Sequence, residues 1–147
     1  MSCNILLESC VSNVIRNPNI ISMIPLEDLE VYKIAMDIGE LAWNNVSKWE
    51  YFPKKNIGDQ FTRAADSIAL NIAEGYGRFH YKENKQFCWY ARGSLFETKS
   101  ANQKALARAL ISKADYDTIF NKLTHCHKLL NAYIKSIGVN KFDKASE

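Results

Sequence analysis

Residues 57–78, IGDQFTRAADSIALNIAEGYGR, place Ile57, Phe61, Ala65, Ile68 and Ile72 three or four positions apart, and glycines stand at 75 and 77. That spacing aligns apolar side chains on one face of a helix, and a period of two never develops. The stretch therefore reads as an amphipathic helix running from Lys54 or Asn56 to Tyr76, with Gly75 and Gly77 available as a left-handed terminator.

The same period governs the sequence on either side. Upstream, residues 26–49 read as a helix opened by Glu27, Asp28 and Glu30, carboxylates suited to the positive end of a helix dipole, and closed by the stretch ending at Pro53. It carries two apolar series: Leu29, Tyr32, Met36, Gly39, Trp43 and Val46, then Val31, Ile34, Ala35, Ile38, Leu41 and Ala42. Together they are wider than the stripe one bundle helix buries, so a further partner is expected. Downstream, a helix from Tyr81 to Ala109 presents Phe87, Ala91, Leu95, Thr98, Asn102 and Ala105, with Gly93, Ser94, Ala101 and Ala105 small enough to let a neighbouring backbone approach. The last helix opens at Ser112, with Asp115 placed for a capping box, and runs through Ile119, Leu123, Cys126, Leu130 and Ile134 to Gly138. Short connections between long helices make neighbours antiparallel. The expected fold is all-α, an antiparallel up-down-up-down four-helix bundle at 25–138, with an N-terminal extension at 1–24, read as a segment that docks on the bundle or on a neighbouring subunit, and a tail at 139–147.

A chain of 147 residues supports one core, and its 47% apolar and 24% charged content is globular. No apolar run approaches the roughly 20 residues of a bilayer-spanning helix, and no secretory signal is recognisable, so a cytoplasmic protein without membrane partners is expected. Cys3, Cys10, Cys88 and Cys126 form no C-x-x-C pair and read as reduced thiols, with no zinc site. His125 and His127 are two apart and diverge on a helix, unlike an i, i+4 metal pair. No metal and no cofactor is expected.

The net charge of +3 is modest but unevenly spread. Residues 1–52 carry three basic and seven acidic groups, a net −4; residues 53–108 carry ten and five, +5; residues 109–147 carry six and four, +2. One surface could then hold an assembly while another meets a polyanion. The segment from Tyr76 to Lys85 interleaves rings with cations, the combination that stacks unpaired bases and neutralises phosphates. Lys54, Lys55, Arg78, His80, Tyr81, Lys82 and Lys85 form the expected nucleic-acid patch, extendable by Lys99, Lys104 and Arg108. The competing reading has Tyr76, Phe79 and Tyr81 cap the apolar end of the bundle while Arg78 and Lys82 reach outward. Trp43, Trp49 and Trp89 read as packing or interface residues.

Arg63, Ser67, Asn71 and Glu74 follow one another at spacings of four, four and three, a polar line beside the apolar one. With Arg92 and Glu97 of the next helix they are expected to form a structural seam, Arg63 pairing with Glu97 and Asn71 bonding across. Two arginines and two carboxylates without a nucleophile, metal cluster or phosphate loop do not make a catalytic site, so no enzymatic activity is expected.

The run Gln60 to Arg78, with Leu29-Glu30-Val31-Tyr32, Phe52-Pro53 and Tyr90-Ala91-Arg92-Gly93-Ser94-Leu95 followed by Glu97, resembles the four-helix bundle proteins encoded in 23S ribosomal-RNA intervening sequences. The resemblance spans roughly residues 25–138. It implies a small cytoplasmic bacterial protein without known catalysis. Related accessory proteins of diversity-generating retroelements are similar in forming barrel-like homopentamers that contact nucleic acid and a reverse transcriptase. The expectation is a noncatalytic oligomer, a pentamer by resemblance, binding RNA, DNA or a nucleoprotein partner; the alternative is a structural scaffold or protein-interaction module without nucleic acid.

Overall fold

A computed structural model describes residues 24–139. The expected extension, apart from Ile24, and the tail beyond Val139 lie outside the described residues, as do Cys3 and Cys10. After a 3-10 turn at Leu26–Asp28, four long helices follow: α1 (Glu30–Val46), α2 (Asp59–Tyr76), α3 (Tyr81–Ala107) and α4 (Lys113–Ser136). Helix α2 lies between α1 and α3, and α4 closes the square between α3 and α1. This is the antiparallel up-down-up-down bundle expected from the sequence, with no strand among the described residues.

The core is built from the apolar series. Ile38, Phe61, Ile68, Ile72, Ile119, Leu123 and Leu130 are fully enclosed. On α1 the second series is the inner one: Val31, Ala35, Ile38 and Ala42 are buried, while Met36 and Trp43 of the first remain 45% and 61% exposed. Trp49 folds under the end of α1 as the lid of the core, its ring 6.2 Å from that of Phe61. The inner face of α3 is small and partly polar: Cys88, Ala91, Leu95, Thr98, Asn102 and Ala105. Its buried polar groups turn to backbone, Thr98 Oγ1 donating to Ser94 O at 2.7 Å and Asn102 Nδ2 to Tyr116 O at 3.2 Å.

The helix boundaries differ from expectation on both sides of Pro53. Pro53 does not stop α1, which ends at Val46; it sits in a new helical turn, Tyr51–Pro53. A first turn has no use for the N–H that proline lacks. A π-turn, Lys54–Gly58, then leads into α2, with Asp59 N–H reaching Lys54 O. Gly58 is required here, because a Cβ would lie 2.7 Å from Val46 Cγ1.

The glycines after α2 also act otherwise than as a left-handed terminator. Gly77 keeps a right-handed φ of −75°, and Gly75 is buried, where a Cβ would come within 2.8–2.9 Å of Asn84 Oδ1, Asn84 O and Phe87 Cβ. Gly75 thus sets the close crossing of α2 on α3. Among the described residues the left-handed ones are Ala109 (φ 56°), after α3, and Gly138 (φ 76°), after α4. At the start of α4, Ser112 Oγ accepts the Asp115 N–H at 3.1 Å, as a capping residue should.

Candidate functional site

The expected polar seam does not form. Residues four apart drift by about 40° around a helix of 3.6 residues per turn, so the line from Arg63 through Ser67 to Asn71 winds from the outside inward. Arg63 is left exposed and pairs with Asp59 at 2.8 Å, not with Glu97. Asn71 donates to Ser67 O within its own helix at 2.8 Å, and Glu74 pairs with Arg78. Across the α2/α3 hairpin Glu97 instead accepts from Gln60, at 3.3 Å. Arg92 takes no part in this contact and lies over the Trp89 and Phe96 rings of its own helix.

The expected nucleic-acid patch divides in two. Lys54 and Lys55 stand at the start of α2 and Arg78 just beyond its end, separated by roughly 30 Å of helix. Lys54 Nζ donates to Ser47 O at 2.7 Å and Lys55 lies over the Tyr51 ring, so both serve the α1/α2 corner. At the other pole, Arg78 stacks over Phe87 at 4.8 Å, and Tyr76 Oη donates to Ile24 O at 3.0 Å. Phe79 is 91% exposed, edge-on to His80, so it does not cap the bundle. Tyr81, 63% exposed, supplies its ring as the neighbour of Gly138.

Lys82 and Lys85 lead into a feature that the sequence reading had passed over. Lys82, Lys85, Trp89, Arg92, Phe96 and Lys99 recur at spacings of three and four along α3. They form one outward row about 25 Å long. Arg92 lies over both neighbouring rings, 5.3 Å from Trp89 and 5.9 Å from Phe96. Helix α4 completes the row: Lys99 lies over Phe120 at 4.9 Å, Phe120 stacks on Tyr116, and Phe96 meets His127 edge-on at 5.2 Å. Among the described residues none of the four cations of the row is in an ion pair, and α3's two carboxylates, Glu83 and Glu97, are not in the row.

His127 shows the field of this seam. Its Nε2 is buried without a hydrogen-bond partner, and burial, then the positive charges of Arg92 and Lys99, hold the imidazole below its ordinary pKa. Its protonated form is therefore disfavoured beside Arg92 and Lys99. Elsewhere, burial raises the Asp66 carboxyl beside Gly39, with Glu40 adding to the effect. Cys88 and Cys126 are buried free thiols, pushed up to about 11 and about 12 by burial. No group of three or more metal-ligating side chains comes together among the described residues.

The model of the 23S rRNA-intervening sequence protein family matches residues 27–132, a span that includes all of α1, α2 and α3 and most of α4. The chain belongs to that family. A solved family-type fold agrees with this: a Bacteroides thetaiotaomicron protein of unknown function, described as from the S23 ribosomal protein family, superposes with a TM-score of 0.64 at 21% identity, covering 72% of this chain and 99% of that one. At that identity the likeness concerns the intervening-sequence fold alone. No curated protein matches the chain. Both findings cover the bundle, and no described helix is long and apolar enough to cross a membrane.

Proposed function

We propose that this intervening-sequence protein is a noncatalytic, self-associating cytoplasmic bundle whose α3/α4 face receives nucleic acid, alone or within a nucleoprotein partner such as a reverse transcriptase. The observation that supports it is the row Lys82, Lys85, Arg92 and Lys99, four cations on one helix face with no carboxylate in the row and no ion pair among the described residues. Such a row is a track for a phosphate backbone. Self-association would use the opposite side, where Met36, Trp43 and Leu70, the last 66% exposed, leave apolar surface on α1 and α2. In this reading the assembly has five copies, the number the family resemblance implies.

Electrophoretic mobility with a single-stranded oligonucleotide over a salt series tests the first part. Neutralising about four phosphates gives a slope of about −3 in log K against log salt, and Lys85→Ala with Lys99→Ala lowers affinity and flattens the slope by about half. Wild-type protein that binds no nucleic acid at any salt would leave a scaffold as the function. Light scattering tests the second part: a mass of several chains that falls with Trp43→Ser is expected, and a monodisperse wild-type monomer refutes self-association.

A further inference from the structure

We propose that the α3 face binds unpaired bases, by stacking them into a notch at Gly93, so that the ligand is single-stranded RNA or DNA and not duplex. This rests on the nucleic-acid reading above and adds what the cations alone do not specify. Gly93 lies in the middle of a 27-residue helix, where glycine is the least favourable ordinary residue, and a Cβ there would meet nothing within 4 Å. Among the described residues no packing contact accounts for it. Its neighbours one turn away on the helix surface are Trp89, Tyr90, Phe96 and Glu97. The three rings are 46%, 52% and 44% exposed. The result is a bare patch of backbone framed by aromatic side chains, with the Arg92 guanidinium already lying over two of them. A flat ring can approach the helix there more closely than at any position bearing a side chain, and stack on aromatic or guanidinium faces. Lys85 and Lys99, seven residues to either side of Arg92, hold the phosphates that such a base carries with it. A duplex keeps its bases stacked inside and has no use for the notch.

A second copy of the chain is the other occupant to weigh, offering the acidic α1 side. Its charges are already partly used within the chain: Glu30 pairs with Lys33 and Asp37 with Lys122. A polyanion matches the row better.

The test uses full-length protein with fluorescein-labelled oligouridine of about 16 nucleotides, a length suited to one binding surface, and a mixed-sequence RNA duplex of equal length. Oligouridine should bind more tightly than the duplex and quench tryptophan fluorescence. Trp89→Phe, which keeps a ring, should retain affinity but lose most of the quenching. Trp89→Ala with Phe96→Ala should weaken oligouridine about tenfold or more while changing duplex affinity little. Gly93→Leu, which fills the notch with a better helix former, should weaken oligouridine similarly at unchanged helicity and assembly mass. Oligouridine binding untouched by both of these variants refutes the notch while leaving the nucleic-acid reading standing; wild-type protein that binds neither probe refutes both. A Gly93→Leu protein whose mass falls while its affinity holds would assign the notch to a second copy and overturn the inference.

Discussion

Three glycines within helices can be told apart by what a single methyl group would strike. Replacing glycine by alanine in a helix interior recovers about 1 kcal/mol of backbone propensity wherever there is room. At Gly93 there is room, with no atom within 4 Å, so Gly93→Ala should stabilise the fold by about that amount. At Gly75 the new Cβ would stand 2.9 Å from both Asn84 O and Phe87 Cβ. Neither atom can rotate away, since one is backbone and the other is fixed to it, so α2 and α3 must part. Overpacking of this kind costs about 1–3 kcal/mol, the upper half of which is expected here, leaving a net loss of about 1–2 kcal/mol after the propensity gain. At Gly39 the close contact is Asp66 Oδ1, at 2.6 Å, the end of a side chain that can turn toward solvent, so the two terms nearly cancel. The order of stability is then Gly93→Ala, wild type with Gly39→Ala, and Gly75→Ala. Urea denaturation, followed by far-ultraviolet circular dichroism at several protein concentrations without oligonucleotide, should separate the first and last midpoints by about 1 M or more. Gly75→Ala as stable as wild type would refute the close crossing of α2 on α3, and a destabilised Gly93→Ala would show that the middle of α3 is not open.

His127 gives a stability change whose sign follows from its surroundings. Its folded pKa is below the ordinary 6.5, so the unfolded chain takes up the proton first, and the stability this neutral imidazole provides is complete above about pH 6.5 and lost as pH falls through that value toward the folded one. Wild type should therefore lose more stability than His127→Gln between about pH 7.5 and pH 5; parallel curves would mean that the imidazole is solvated. In a Cys3→Ser, Cys10→Ser background the two remaining thiols, Cys88 and Cys126, should react with a disulfide reagent at about pH 8 only upon unfolding, because burial both raises their pKa and blocks access. Rapid reaction of the folded protein would refute their enclosure.

Most of the helices were legible because their apolar residues repeat with the helical period and Ser112 has the chemistry of a cap. Pro53 misled because its meaning depends on position: fatal to a helix interior, it is harmless within a first turn, and the sequence does not say which turn is first. Glycine carries the same ambiguity. Gly75 and Gly77 matched a terminator pattern, yet the decisive fact about Gly75 is a neighbour on another helix, which spacing along one chain does not reveal. The polar line of α2 failed as a seam for a geometric reason. A four-residue step exceeds one helical turn, so Arg63 and Asn71 could not both face α3. The row on α3 was visible in principle as cations and rings at alternating spacings of three and four. It went unread because large aromatic residues are ordinarily core material, whereas in α3 the core face is made of alanines, a cysteine, a leucine, a threonine and an asparagine, and Trp89 and Phe96 stay outside.

The wide turn ahead of α2 carries a consequence for any shortening of this region. A π-turn holds one more residue than an α-turn, so excising one of Lys54, Lys55 or Asn56 would let an ordinary spiral run straight through while keeping Ile57 and Gly58 in place. Everything upstream would then keep nearly its present bearing, because the wide turn already takes up the added residue, so the rings of Tyr51 and Phe52 would stay in open water while the corner that brings Trp49 beneath α1 tightened. The surplus residue is the shim by which two rigid rods meet at that corner.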